Sequence, residues 1–366
     1  MDAVELPSHS GWRWRARLIT GREFRVPPAV RTFAENSRYR RGGTEPTVTD
    51  ANVVLGRINP DYFLGGDLLL DVSAAQRVLE ELGARLEMGL DDVASSIIEL
   101  INFNMVNAIR LISIDRGLDP REFTLVSFGG AGSLHAGALA DIIGIREVLV
   151  PIHQGVFSAF GLMTADMRVD ESLTASFRSD TLDIKRVNEV LERLRSRALT
   201  RLRADGYERP ATLEADIEMR YLGQNYNIEI PVPLVDGGLG HAEIGKVLDD
   251  FHAEHRRRYG YEISNEIVEF VHFNVTAVGP TEKPTIPTLA RNGKGAKKSR
   301  RRVYFKGDGW LDSAIYERAS LGQGSQIEGP AVVEEPTATT LLHPGHRLTV
   351  DEYGNLIIRT LTGKDT

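Results

Sequence analysis

The stretch with the most chemical potential is Val126-Ser127-Phe128-Gly129-Gly130-Ala131-Gly132-Ser133. Glycines that follow an apolar strand and open a helix let successive backbone N–H groups approach an anionic or nucleotide ligand. The spacing is neither that of a dinucleotide-binding Rossmann turn nor that of a Walker A loop with its lysine. Two readings follow: a nucleotide-binding turn of another kind, contacting its ligand through Gly129, Gly130, Ala131, Gly132 and Ser133, or a tight strand-to-helix turn in which glycine serves packing alone. His135 stands two residues into the helix. There it can touch a phosphate, be held neutral by the helix dipole and act in catalysis, or be a helix-start histidine bonded to backbone.

Glu45 and Asp50 flank Pro46-Thr47-Val48-Thr49 behind two glycines. A carboxylate pair on such a loop suits a hard cation such as Mg2+, which takes few protein ligands and keeps its waters. Asp50 reads equally well as a helix cap. His153, Ser158 and Asp166 contain the residue types of a hydrolase triad, but Ser158 lacks the Gly-x-Ser-x-Gly elbow and reads as the cap of a loop-to-helix junction. His252 and His255 sit at i and i+3 without the glutamate of a His-Glu-x-x-His zinc motif and read as surface residues. The chain has no cysteine, which removes disulfides, thiolate metal sites and cysteine nucleophiles together.

These residues need elements to hold them. Thr49 or Asp50 is placed to cap a short helix, Asp71 opens a helix through Leu82, and Asp91 opens a longer, mostly buried one through Ile112. Phe123 to Phe128 reads as a buried strand, Leu134 to Ile143 as helix and Glu147 to Val150 as a second strand; such a unit favours parallel pairing. Helices over Asp183–Ala204 and His241–Tyr259, with strands over Leu213–Tyr221, Tyr226–Ile230 and Ile267–Val278, form an α+β module. Residues 280–302 have the composition of a solvated basic linker, through Lys294, Lys297, Lys298 and Arg300 to Arg302. Residues 303–366 carry short strands at the spacing of a small β-rich unit. Residues 1–41, with Trp12, Trp14 and interleaved arginines, have no sustained period and read as a disordered leader.

With 42% apolar and 26% charged residues, the 366-residue chain has a globular composition. Its 44 basic against 51 acidic residues give a net charge of -7, which disfavours wholesale binding to nucleic acid or anionic membranes. The first ten residues have no signal-peptide pattern, and no stretch reads as a membrane span, so the expected location is the cytoplasm.

Several ordered segments resemble the hydantoinase A/5-oxoprolinase family: Gly42-Gly43-Thr44-Glu45-Pro46-Thr47-Val48-Thr49-Asp50-Ala51-Asn52, Asp61-Tyr62-Phe63-Leu64-Gly65-Gly66, Phe128 to Ala136, Gly155 to Gly161, Met219 to Gln224, Arg258-Tyr259-Gly260-Tyr261, Gly329 to Glu334 and Gly354-Asn355-Leu356. The resemblance implies an actin-like ATPase fold, with residues 42–178 as one α/β half, 179–279 as the α+β module and 303–366 as the β-rich unit. It further implies ATP and Mg2+, a cyclic amide such as 5-oxoproline or a hydantoin as substrate, and a larger hydantoinase B-type subunit as partner. In relatives the same machinery supports ketone carboxylation. The family's upstream Asp-x-Gly-Gly-Thr phosphate segment has no counterpart here. Asn36 to Arg41 depart from the family's Gly-Pro-x-Cys-Tyr-Gly, and Ser133 stands where proline is common. The expectation is an N-terminally truncated chain, impaired on its own, whose first 40 residues come from a shifted frame or an alternative start.

Overall fold

A computed structural model describes residues 45–235, 237–263, 265–289 and 297–360, and the backbone of two short antiparallel strands, β1 (Trp14–Arg17) and β2 (Glu23–Val26). The rest of the leader, Gly42 to Thr44 and Lys294 lie outside the described residues. The chain divides into two compact units, Met1–Phe160 with Thr285–Thr366, and Gly161–Pro284.

In the first unit α1 (Val48–Val54) starts at Thr47, not at Thr49 or Asp50. Thr47 Oγ1 accepts the Asp50 N–H at 3.2 Å, and the Asp50 carboxylate accepts the Thr47 N–H at 2.8 Å and hydroxyl at 2.7 Å. This capping box satisfies two donors that a helix start otherwise leaves orphaned. Asp71 caps α2 (Val72–Leu86) by accepting the Ala74 N–H at 2.9 Å. In α3 (Leu90–Ile112) Val93, Ala94, Ile97 and Ile98 enter the core, while Phe103, Leu111 and Ile112 are exposed. The expectation of a mostly buried helix therefore fails towards its C-terminal end, where helical spacing continues but only Asn102 and Val106 remain buried beyond Ile98. Leu90–Arg116 is also long and apolar enough to cross a membrane by length and composition, contrary to the sequence expectation that no segment is.

The chain continues through β3 (Leu125–Val126), α4 (Gly132–Ile143), β4 (Glu147–Val150) and α5 (Phe157–Thr164). β3 and β4 pair in parallel with Leu125 opposite Val148, as the strand-turn-helix-strand pattern requires. The first strand is shorter than Phe123–Phe128 because Phe123 ends a turn begun by Pro120 and Phe128 enters the glycine turn.

The second unit holds β5 (Met167–Arg178), α6 (Ile184–Ala204), β6 (Thr212–Tyr221), β7 (Ile228–Pro231), α7 (His241–Tyr259) and β8 (Val268–Gly279). Its sheet has the order β5-β8-β6-β7, antiparallel throughout. Val187, Leu191, Leu194, Ala198 and Leu202 of α6, and Ile244, Val247 and Phe251 of α7, recur every three or four residues and bury one stripe of each helix on Ile217, Met219, Phe270 and Phe273.

The remaining strands, β9 (Lys297–Phe305), β10 (Gly309–Glu317), β11 (Gln326–Glu328), β12 (Ala331–Glu334), β13 (Thr339–Leu342), β14 (Arg347–Val350) and β15 (Leu356–Arg359), belong to the first unit. They do not form the separate C-terminal unit that their spacing predicts. β15 pairs with β4, Leu356 opposite Val150, giving a sheet of order β11-β14-β15-β4-β3, and β13-β12-β10-β9 forms another. The basic stretch from Lys297 is strand rather than linker: β9 is an edge strand, and Lys298 and Arg301 reach the buried Glu334 at 3.3 and 2.8 Å.

Candidate functional site

The glycine turn joins β3 to α4. The Ser127 N–H donates to Leu149 O at 2.8 Å, extending the pairing with β4, and the Gly129 N–H donates to Gln154 O at 2.8 Å. Gly129 has φ +94°, a conformation that favours glycine. A Cβ on Gly130 would stand 3.0 Å from Thr337 O, and one on Gly132 3.0 Å from Ser127 Oγ. At Gly130 the turn thus lies close against the Glu335–Ala338 hairpin, where a side chain would crowd Thr337 O. Gly130 and Ala131 are exposed, and Ala131, the N-cap of α4, gives the helix no side-chain cap. The first N–H groups of α4 present partial positive charge beside an open surface. Phe128, Phe157 and Phe160 form an aromatic group next to the turn, with centroids 5.4 and 5.8 Å apart.

Ser133 does not share that exposure. Its hydroxyl donates to Gln154 Oε1 and lies 3.3 Å from Ser127 Oγ, while Gln154 Nε2 donates to Glu335 Oε1 at 2.6 Å and Thr340 Oγ1 at 3.0 Å. Gln154 is the buried hub that ties the turn to the second strand system. No local motif marks this network; the adjacent Gly155, whose side-chain position is taken by Thr337, is its only trace in the sequence.

His135 is 5% exposed, and its Nδ1 lies 2.7 Å from Asn102 Oδ1 on α3. Burial, with a smaller contribution from the Arg57 charge, lowers its pKa to about 4, so it is neutral at physiological pH. It is held by a side chain inside the core, neither by backbone nor at the open end of the turn. Asp50 is fully buried with its carboxylate on Thr47, and Glu45 is exposed. The structure therefore does not present the two as a paired metal site, and among the described residues no group of three or more His, Cys, Asp or Glu could hold a metal ion.

Of the triad types, His153 is exposed in a left-handed conformation at φ +56° and Ser158 is exposed on α5, while Asp166 belongs to the second unit and binds Lys283 and the Thr281 N–H. The surface assignment of His252 and His255 fails for His255, while His252 is half-buried. His255 is fully buried, with Nδ1 2.8 Å from Tyr261 O and Nε2 3.2 Å from Gln224 Nε2, and Tyr221 Oη lies 2.7 Å from His252 Nδ1. A backbone carbonyl only accepts, so His255 carries its proton on Nδ1 and takes the Gln224 amide proton on Nε2. The Met219–Gln224 and Arg258–Tyr261 motifs meet here as a structural clasp.

Residues 13–171 match the hydantoinase/oxoprolinase family model, and residues 175–360 match the hydantoinase/oxoprolinase C-terminal domain. The first match begins upstream of Gly42, so the likeness reaches into the stretch that the motifs leave unmatched. Caprolactamase subunit alpha of Pseudomonas jessenii is 34% identical over 86% of this chain and 46% of its own length. The 5-oxoprolinase 1 of Arabidopsis thaliana is 29% identical over 92% of this chain and 28% of its own length. A nucleotide-free structure of acetone carboxylase, from a study of ATP-dependent acetone carboxylation, superposes with a TM-score of 0.80 at 26% identity, covering 97% of this chain and 52% of that one. The chain thus spans about half or less of the length of these relatives. Two consecutive domain matches, the second spanning more than half of the chain, place it in the hydantoinase/oxoprolinase family.

Proposed function

We propose that this chain supplies the nucleotide-contacting part of an ATP-dependent enzyme that opens a cyclic amide, 5-oxoproline or a hydantoin. The observation that carries the reading is the exposed, uncapped start of α4 behind Gly129, Gly130, Ala131 and Gly132. It is the adenosine-side turn of an actin-like α/β half, with the Phe128 group offering an apolar face to the base. Ser133 and His135 act as positioning residues, since both are turned into the interior. ATP phosphorylates the amide oxygen and leaves as ADP; one water adds to the carbon and the ring C–N bond breaks to give a free amine and an acyl phosphate, which a second water hydrolyses to carboxylate and phosphate. Mg2+ enters with the nucleotide phosphates, and Glu45 is the carboxylate free to reach its water shell. Asp50 contributes by fixing α1.

The apolar face from Phe103 to Phe128 fits a complex with the part that longer relatives carry and with a hydantoinase B-type subunit, in the cytoplasm. Phosphoryl transfer needs groups on both sides of the nucleotide, so turnover is expected in an assembly that supplies both. The likeness to acetone carboxylase supports a second reading, the β-type subunit of a ketone carboxylase; a non-catalytic assembly role completes the alternatives.

Calorimetric titration of the purified chain with ATP and Mg2+ tests the proposal. Binding is expected, with loss of at least tenfold in affinity in Gly130→Val, whose side chain would press on Thr337 O. Equal binding by wild type and variant removes the turn from the site, and absence of binding favours the assembly role. ATP hydrolysis stimulated by 5-oxoproline or acetone, measured with the partner subunit present, separates the two enzymatic readings.

A further inference from the structure

Arg57 follows α1 and is 5% exposed, yet among the described residues no carboxylate lies within ion-pair distance of it. Its side chain makes a single long hydrogen bond, from Nη2 to Tyr304 O at 3.4 Å, and its Nε is buried without a partner. A buried ion without a counter-charge costs several kcal/mol, and arginine is almost never fully buried unless paired. The C-terminal dipole of α1 offsets only about 0.3–1 kcal/mol of that. The nearby buried carboxylate, Glu334, already serves Lys298 and Arg301, and Arg301 also donates to the backbone carbonyls of Gly56 and Arg57. Burial lowers the Arg57 pKa only to about 10, so the guanidinium stays charged.

His343 packs on Phe305, the neighbour of Tyr304, with ring centroids 5.5 Å apart, and on His346 at 5.5 Å. A Cβ on Gly137 would stand 3.1 Å from the His343 ring and 3.2 Å from His346, which places both against α4, two residues beyond His135. His343 Nε2 and His346 Nδ1 are buried without partners, and so is Asn52 Oδ1 one turn before Arg57. Asp141 is engaged by His346 Nε2 at 2.9 Å. The result is a charged guanidinium near a buried imidazole, His343, that can present Nε2 as an N–H donor, with Asn52 Oδ1 and His346 Nδ1 as unmet acceptors and no free acid among them.

We infer that Arg57, with His343, forms a buried binding site for a small oxyanion, a carboxylate or a phosphate, distinct from the glycine turn. The anion supplies the missing counter-charge and accepts from Arg57 Nε and His343 Nε2. Access is by local opening of the loop that carries His343 to His346. The inference does not depend on nucleotide binding, since none of these residues belongs to the turn.

Thermal unfolding of the whole chain is measured in sodium phosphate, sodium acetate and sodium chloride at matched ionic strength. A saturable rise in Tm of roughly 5–10 °C at a hundredfold excess over Kd is expected with at least one oxyanion and not with chloride. The phosphate and acetate arms identify the source of the anion. Arg57→Met abolishes the rise, and Arg57→Lys keeps part of it. If Arg57→Met does not fold, imidazole NMR of the wild type decides: the His343 and His135 resonances move on adding phosphate or acetate. Identical melting and resonances in all three salts overturn the inference, as does an Arg57→Met protein that responds like wild type. Gly130→Val retains the anion response whatever its nucleotide affinity, so the two ideas fail separately.

Discussion

The two units solve the same problem with different completeness. In the second, one face of a four-stranded antiparallel sheet is covered by α6 and α7, whose apolar stripes meet Tyr221, Phe270 and Phe273; apart from the exposed pair Leu162 and Met163 at its start, the exposed large apolar residues are scattered or carry a hydroxyl, as in Tyr226, Tyr259 and Tyr261. In the first, Phe103, Leu111, Ile112, Ile114, Leu118, Phe123, Val126 and Phe128 are exposed along one continuous stretch that ends at the glycine turn, and β3 is a sheet edge. That unit also contains the unpaired Arg57 and two buried imidazoles with unmet hydrogen bonds. The lesson is that a self-sufficient core leaves little over for function, whereas the candidate chemistry lies where packing and pairing are both unfinished.

The largest expected effect breaks the comparison at its strong side. Phe251 is fully buried on α7, with its ring 5.0 Å from that of Tyr221. Phe251→Ala removes about 3–5 kcal/mol by lost burial and the cavity left behind. Urea unfolding followed by proteolysis within residues 161–284 is expected to move to lower denaturant, while the fluorescence of Trp310 on β10 keeps its midpoint. A joint shift of both signals refutes independent cores.

A smaller effect separates the units by pH. The His135 pKa is lowered to about 4, and that of His343 to about 3 by burial and by the charge of Arg57. A base held below its unfolded pKa of about 6.5 stabilises the fold fully above that value; the contribution is lost as pH falls towards the folded pKa, because the unfolded chain takes up the proton first. For His135 the loss is about 3 kcal/mol between pH 6.5 and about 4. The Trp310 midpoint is therefore expected to fall steeply over that window, and less steeply in His135→Gln. In the second unit, Arg257 and Arg258 hold Glu254 down at about 2, but these are solvent-screened surface pairs, and the proteolysis midpoint should change little. Equal acid sensitivity of both signals contradicts the assignment.

What the sequence made legible follows the same division. The α7 boundaries, the span of α6 and the parallel β3–β4 pair were readable because period is a local property. The glycine turn was readable because φ constraints are local as well. Its support was not: Ser133, Gln154, Glu335 and Thr340 meet across as many as 186 positions, and no periodicity records such a contact. β9 was hidden by its own composition, since Lys297 to Arg302 suit an exposed edge strand as readily as a linker. Arg57 looks like a surface residue by type, and only tertiary burial makes it unusual, while the Asn102 partner of His135 lies too far along the chain for any local pattern to record.

The smallest effect on stability tests the open face itself. Leu111 and Ile112 are 63% and 62% exposed at the end of α3, so lysine at either position should alter folding free energy by no more than about 0.5 kcal/mol. If the face is an interface, the same changes act on association: Leu111→Lys with Ile112→Lys should lower concentration-dependent self-association of the chain and its capture by a hydantoinase B-type subunit in sedimentation experiments. The paired control, Leu222→Lys in the second unit, replaces a residue that is 42% exposed and should leave both unchanged. A loss of folding in the α3 variant means that these side chains belong to the core. A folded variant that associates as wild type means that the apolar stretch is ordinary surface, and the contrast between the units then rests on buried charge alone.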